Sequence, residues 1–132
     1  MRWGRKVAFS ARMSKADSYY VKDERLKFND VKYSYGGGYS FSTGIFTAPK
    51  SGTYLFTYNI ESSSKGKAHV CLMIDGSMKT QALVGKGPDN NGGNSAIAYI
   101  RKGGKVWIET ADLQDKYYIW PYRTTFNGIL ID

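Results

Sequence analysis

The segment Gly52-Thr53-Tyr54-Leu55-Phe56-Thr57-Tyr58-Asn59-Ile60 alternates: Tyr54, Phe56, Tyr58 and Ile60 fall on one face, Leu55, Thr57 and Asn59 on the other. Successive side chains of a strand point to opposite faces, so the pattern reads as a β-strand with one side buried. The same period of two appears earlier, where Val7, Phe9, Ala11 and Met13 oppose Ala8, Ser10 and Arg12. It returns later, where Val106, Ile108 and Thr110 oppose Trp107 and Glu109. From Ala68 to Ile74 both faces are apolar, as expected of a central strand between two packed layers. Asp75-Gly76 then marks a tight hairpin, because both central positions of that turn favour positive φ, and Met78 to Val84 reads as the returning strand. Ser95 to Ile100 is a further strand, Lys102-Gly103-Gly104 the next turn, and Thr125 to Ile131 the last strand, with Phe126, Gly128 and Leu130 on one face. Two stretches read as loops: Lys86 to Asn94, polar and glycine-rich, and Gln114 to Arg123, aromatic and interrupted by Pro121. Helical periodicity is nearly absent. Short strands about ten residues apart, punctuated by glycine turns, predict an all-β sandwich or barrel.

Composition points the same way. Eleven tyrosines, six phenylalanines and three tryptophans make up 15% of the 132 residues, and rings suit a pleated, half-buried surface. A chain of this length is one domain and can hide roughly two-thirds of its unfolded surface without a staple. The single cysteine, Cys71, excludes an intrachain disulfide, and its apolar neighbours Val70, Leu72, Met73 and Ile74 make it a small core side chain rather than a reactive thiol. No stretch approaches the roughly 18 apolar residues of a spanning helix. Met1 to Lys6 carries charge with no apolar run after it, so it does not read as a signal peptide. Residues 1–6 are expected to be a basic arm or an expression remnant, and residues 7–132 the folded domain.

The net charge of +8 raises the question of an anionic partner. Much of the excess sits at the front, where Arg2, Arg5, Lys6, Arg12 and Lys15 precede the first acid, Asp17. No block of consecutive like charges appears, so a solvated basic end accounts for the excess and nucleic acid is not expected as a partner.

Catalytic patterns fail on inspection. His69 is the only histidine, and Cys71 two residues on would share its face of a strand; nucleophile pairs usually meet across elements, so packing is the expected role of both. Gly36-Gly37-Gly38 lacks the spacing of a phosphate loop, and no Gly-x-Ser-x-Gly elbow occurs. Asp112 and Asp115 are the calcium candidates, but two acids beside Lys116 fall short of the six to eight oxygens calcium takes. The segment Tyr117-Tyr118-Ile119-Trp120-Pro121-Tyr122-Arg123 is the most informative for function. Rings beside a cation offer stacking faces for sugars and a fork for carboxylates, and Tyr, Trp and Arg dominate protein interfaces. Tyr117, Trp120, Tyr122 and Arg123 are therefore the candidate ligand-binding residues, together with the Lys86–Asn94 loop; the other reading of the segment is a strand edge buried against a neighbouring subunit.

Taken in order, Phe28, Tyr39, Phe46, Gly52, Tyr54, Phe56 and Tyr58 resemble, at their spacings, the signature of the complement C1q globular head. Thr43-Gly44-Ile45-Phe46-Thr47-Ala48-Pro49-Lys50-Ser51-Gly52-Thr53-Tyr54-Leu55-Phe56 is its most specific part. Val7 to Ala11 is similar to the opening strand of that family, Lys102 to Ile108 and Phe126-Asn127-Gly128-Ile129-Leu130 to its last two. The resemblance implies a ten-stranded jelly roll of the C1q/TNF-like kind, homotrimeric and secreted. It implies a non-enzymatic head that recognises microbial or glycan ligands, lipopolysaccharide or other anionic surface ligands in innate immunity, in a lectin-like way. The alternative it carries is a cytokine- or synaptic-organiser-like ligand for a cell-surface receptor. The chain departs from the pattern at Ser34, where Asn or Asp is usual, at Gly104, where an acid is usual, and in a late loop rich in Tyr, Trp and Arg instead of acids. That last departure argues against an apical calcium; no other cofactor is implied.

Overall fold

The computed structural model describes residues 6–132. The expected arm, residues 1–6, therefore lies outside the described residues except for Lys6. Eleven strand segments form, and no helix appears among the described residues. One sheet joins β1 (Ala8–Arg12), β3 (Asp30–Tyr35), β5 (Gly52–Ser62), β8 (Asn91–Ile100) and β11 (Ile119–Leu130) in the order β3-β1-β11-β5-β8. The other joins β4 (Phe46–Thr47), β6 (Ala68–Ile74), β7 (Ser77–Val84) and β9 (Lys105–Thr110) in the order β4-β9-β6-β7. The chain crosses between the sheets after β3, β4, β5, β7, β8 and β9, which is the jelly-roll path. Two further segments of two residues each, β2 (Tyr20–Val21) and β10 (Lys116–Tyr117), pair as a small ribbon and raise the number of segments above the ten expected.

Side-chain alternation puts the core where it was expected. Val7, Phe9, Ala11 and Met13 are buried from β1 and its flanks, and Tyr54, Phe56, Tyr58 and Ile60 from β5. Val106, Ile108 and Thr110 are buried from β9. Asp75 and Gly76 take φ of 49° and 84°, as the hairpin between β6 and β7 requires. The signature rings meet at the centre. Phe9 stacks on Tyr39 at 4.9 Å and meets Phe126 edge-on at 5.0 Å, while Phe126 also contacts Phe28 and Phe56. Such pairs add to burial, each by about 0.5–1.5 kcal/mol. Gly128, opposite Phe56 in the ladder, leaves the space these rings fill: a Cβ there would lie 2.5 Å from Phe9 Cε1.

Tyr39 clamps this cluster from the side. Its hydroxyl donates to the Phe28 carbonyl at 2.9 Å and accepts the Phe28 N–H at 3.0 Å. Burial pushes the Tyr39 phenol up to about 12, against the lowering effect of the Phe28 hydrogen bond. The unfolded chain releases this proton near the ordinary phenol value of about 10, before the folded one does. The contribution is therefore complete below pH 10 and lost as pH rises towards 12. Denaturation midpoints should fall over that window, and Tyr39→Phe should flatten the fall, leaving the smaller share from the raised phenols of Tyr20, Tyr54 and Tyr58.

Three expectations are corrected, and one strand, β3, was not foreseen. Asn91 to Asn94 is not loop but the start of β8, paired with Glu61, Ile60, Asn59 and Tyr58. Its glycines are there for close approach, since a Cβ on Gly93 would run into the Tyr58 carbonyl oxygen. The last strand begins at Ile119 rather than Thr125 and takes in Pro121 through an irregularity between Trp120 and Thr125. Proline cannot donate to a ladder and is tolerated at such a bulge. β6 is central in its sheet, but only one face is covered: Val70, Leu72 and Ile74 are buried, while Cys71 and Met73 are half-exposed. β3 carried no readable signal, because as an edge strand it has no buried residue.

Candidate functional site

Both described chain ends lie at one end of the sandwich, where Leu130 N–H donates to Val7 O and Thr53 N–H to Asp132 O. The opposite, distal end gathers the start of β11, the end of β5 and the start of β8, since Ile119 pairs with Ser62 and Asn91 with Glu61. The bulge in β11 shapes this end. Tyr122, directly after Pro121, holds φ of 70°, a conformation uncommon for a ring-bearing residue. Four hydrogen bonds hold it: Tyr122 N–H to Met13 O at 2.8 Å, Met13 N–H to Thr124 O at 2.9 Å, Thr124 Oγ1 to Trp120 O at 2.7 Å and Asn59 Nδ2 to Arg123 O at 2.7 Å. Bulges re-aim side chains, and this one turns neighbouring rings outward. Trp120 and Tyr122 are half-exposed at 52% and 53%, and the Arg123 side chain is 62% exposed.

The two rings stand over a depression of about 570 Å³. The loop Lys15–Ser18, the segment Glu61–Lys65, and Pro88 and Asp89 complete its lining. That volume falls within the roughly 300–1,000 Å³ of small-ligand clefts. Part of the Lys86–Asn94 loop is thus brought beside the aromatic segment, as expected. Arg123 is not in the lining; its Nη1 lies 3.5 Å from Glu61 Oε2. The Arg12 guanidinium lies 5.5 Å from the Tyr122 ring centre and donates to Asp30 Oδ2 at 2.7 Å. Arg12 and Lys32, both bonded to Asp30, hold its carboxyl below the usual range.

Tyr117 is a correction. It is completely buried and edge-on to the His69 ring, with its hydroxyl accepting the Gln114 N–H at 3.2 Å, so it has no face to offer a ligand. Pairing with Tyr20 across the β2–β10 ribbon draws it in. Asp112 and Asp115 are exposed, and no group of three or more His, Cys, Asp or Glu converges among the described residues. His69 is buried with Nε2 2.7 Å from Gln81 Oε1. Burial, followed by the charges of Glu109, Asp112 and Asp23, pushes the Cys71 thiol up, away from the thiolate a nucleophile needs. Sequence reading missed Glu61. It follows Ile60 in an alternating strand and so reads as a solvent-facing acid, yet it is only 4% exposed.

The outer face of the five-stranded sheet is graded from end to end. Near the chain ends one row runs Tyr35, Ala8, Ile129, Leu55, Ile97 across all five strands, with Tyr99 beside it. Tyr35, Ile129, Ile97 and Tyr99 are all exposed. The next row is polar: Ser10 Oγ donates to Asn127 Oδ1 at 2.6 Å and Asn127 Nδ2 to Thr57 Oγ1 at 3.2 Å. Charge follows at the distal end, with Arg12, Asp30, Glu61 and Arg123.

A two-sheet jelly roll with this strand order is a domain of the C1q/TNF-like fold class. The chain belongs to the C1q domain family, which matches residues 8–131. It is 31% identical over 135 residues to complement C1q tumor necrosis factor-related protein 2 of Mus musculus, covering 96% of this chain and 43% of the relative. Multimerin-1 of Mus musculus is 32% identical over 116 residues, 80% of this chain and 9% of the relative. The chain thus spans less than half the length of these curated relatives. Among solved structures, the globular domain of zebrafish complement 1qA superposes with a TM-score of 0.69 at 25% identity, covering 97% of this chain and 98% of that one. Murine APRIL superposes with a TM-score of 0.73 at 7% identity, over 96% of this chain and all of that one, which shows the shared fold.

Proposed function

We propose that this chain is an extracellular, trimeric and non-enzymatic recognition head whose distal end binds glycan ligands of the kind carried by microbial surfaces. The observation that carries the reading is the bulge in β11, which spends hydrogen bonds and an uncommon φ to hold Trp120 and Tyr122 outward over a depression. Exposed rings at the rim of a cleft suit the apolar faces of sugars and stand out from an ordinary solvated loop. The trimer is supported by the apolar row Tyr35, Ala8, Ile129, Leu55, Ile97, since large contiguous apolar patches mark association surfaces. No helix of the described residues is long and apolar enough to cross a membrane. An extracellular site agrees with the kinship to C1q/TNF-related proteins and multimerins.

Trp120→Ala with Tyr122→Ala should reduce glycan binding at least tenfold while light scattering still reports the trimer. Unchanged binding in that double variant would end the assignment of the site. The second reading, a TNF-like ligand for a protein receptor, is favoured by Tyr19, Val21 and Leu113, exposed around the ribbon where a protein could cover them. A glycan array separates the two: sugar-competable signals support the first reading, and a blank array together with cell-surface binding supports the second.

A further inference from the structure

Among the described residues, two buried side-chain atoms have no hydrogen-bond partner, Arg12 Nε and Glu61 Oε1. Buried polar groups are normally satisfied, so each exception asks for an explanation. Glu61 lines the depression, faces Trp120 across the β5–β11 ladder, and is 4% exposed. Its backbone N–H is used on Thr124 Oγ1 at 3.1 Å. Its other oxygen, Oε2, has only the long 3.5 Å approach of an arginine whose side chain is 62% exposed. The carboxylate therefore has acceptor capacity to spare, in a cleft lined by rings, serines and charged side chains of both signs.

We infer that the depression is a subsite for a neutral sugar ring, and that Glu61 both binds its hydroxyls and turns acidic sugars away. The inference rests on the reading of the distal end as the ligand-binding surface. Two neighbouring hydroxyls of a pyranose donate to the Glu61 carboxylate, while the C–H face of the ring lies on Trp120 or Tyr122. Arg123, exposed and held to Glu61 Oε2 only at 3.5 Å, is the group that yields to let a hydroxyl reach Oε2. The chain as a whole carries +8, but the lining of this cleft sets Asp17, Glu61 and Asp89 against Lys15 and Lys65. A carboxylate or sulfate entering here would meet the like charges of Glu61, Asp17 and Asp89, which is discrimination by repulsion. The overall positive charge thus does not set the preference of this cleft.

The test is an array that prints neutral hexose and N-acetylhexosamine oligosaccharides, each beside its sialylated or sulfated counterpart. It is probed with the trimer of the wild type, Glu61→Gln, Glu61→Asp and Trp120→Ala. The wild type should bind some neutral oligosaccharides and bind their acidic counterparts at least tenfold less. Glu61→Gln should weaken the neutral signals about tenfold, through loss of charge-assisted hydrogen bonds, and narrow the gap to the acidic ones. Glu61→Asp keeps the charge and should keep the rejection, so the comparison survives a Glu61→Gln chain that does not assemble. Acidic glycans bound as well as neutral ones, or a Glu61→Gln variant with unchanged affinity and preference, overturns the inference. In either case loss of binding in Trp120→Ala would still sustain the broader reading, whereas an array blank for every class removes both.

Discussion

Replacing Phe126 by Ala is expected to lower the stability of the fold by roughly 3–5 kcal/mol. Phe126 is fully buried, and its ring contacts Phe9 and Phe56 from its own sheet and Phe28 and Tyr39 from the segments that flank β3. Truncation removes the transfer free energy of the ring and leaves a cavity walled by other rings. These walls collapse poorly, because Phe9 and Phe56 are also wedged against the bare backbone of Gly128. Domains hold only about 5–15 kcal/mol in reserve, so the variant should sit near the edge of folding. Urea midpoints read at one fixed protein concentration measure the loss, the fixed concentration holding any contribution from association constant. A loss below about 1 kcal/mol would mean that the ring cluster is not the keystone of the core.

The second large effect is on assembly. Ile129→Glu puts a charge in the middle of the row that runs Tyr35, Ala8, Ile129, Leu55, Ile97. Ile129 is 49% exposed on the isolated chain, so the domain itself should tolerate the change. In the proposed trimer the same position is covered, and an unpaired carboxylate there must be desolvated at a cost of several kcal/mol. Each 1.4 kcal/mol is tenfold in affinity, so association should weaken at least about a hundredfold. Light scattering at micromolar concentration should report a monomer with an intact β-sheet circular dichroism spectrum. Leu113→Glu, at a more exposed apolar position beside the ribbon, should leave the trimer whole. An Ile129→Glu chain that remains trimeric would place the association surface elsewhere.

Where the local pattern matched the final environment, reading the residues was enough. Phe9, Tyr54, Phe56 and Ile108 alternate with less apolar neighbours and turn out buried on the side the alternation assigned. Asp75-Gly76 carries its own backbone preference and becomes the hairpin it resembles. The failures share a cause. Gly92, Gly93 and Asn94 look like a loop because their side chains offer no packing signal; they are strand because β5 lies alongside and needs a neighbour without bulk. Pro121 looks like a strand breaker, and the ladder absorbs it by slipping register beyond Trp120.

The candidate site divides along the same line. The exposed rings Trp120 and Tyr122 were legible because apolar rings beside arginine in a loop-like segment are uncommon. Tyr117 carries the same chemistry three residues earlier and ends in the core, pulled in by Tyr20 through a ribbon that no local pattern announces. Glu61 reads as an ordinary surface acid, and only the fold of Trp120 to Thr124 over the end of β5 encloses it.

Alternation of side chains and turn chemistry determined by themselves that this chain is an all-β sandwich or barrel, because those properties act between residues close in sequence or through burial alone; the jelly-roll path was implied by the resemblance of its rings and glycines to the C1q head. Which rings face water, and which carboxylate oxygen is enclosed without a hydrogen bond, was decided only when Lys15–Ser18, Glu61–Lys65, Pro88 and Asp89, and Tyr118–Tyr122 met at the distal end. Exposure and desolvation belong to contacts between segments far apart in the chain, and no single segment encodes them.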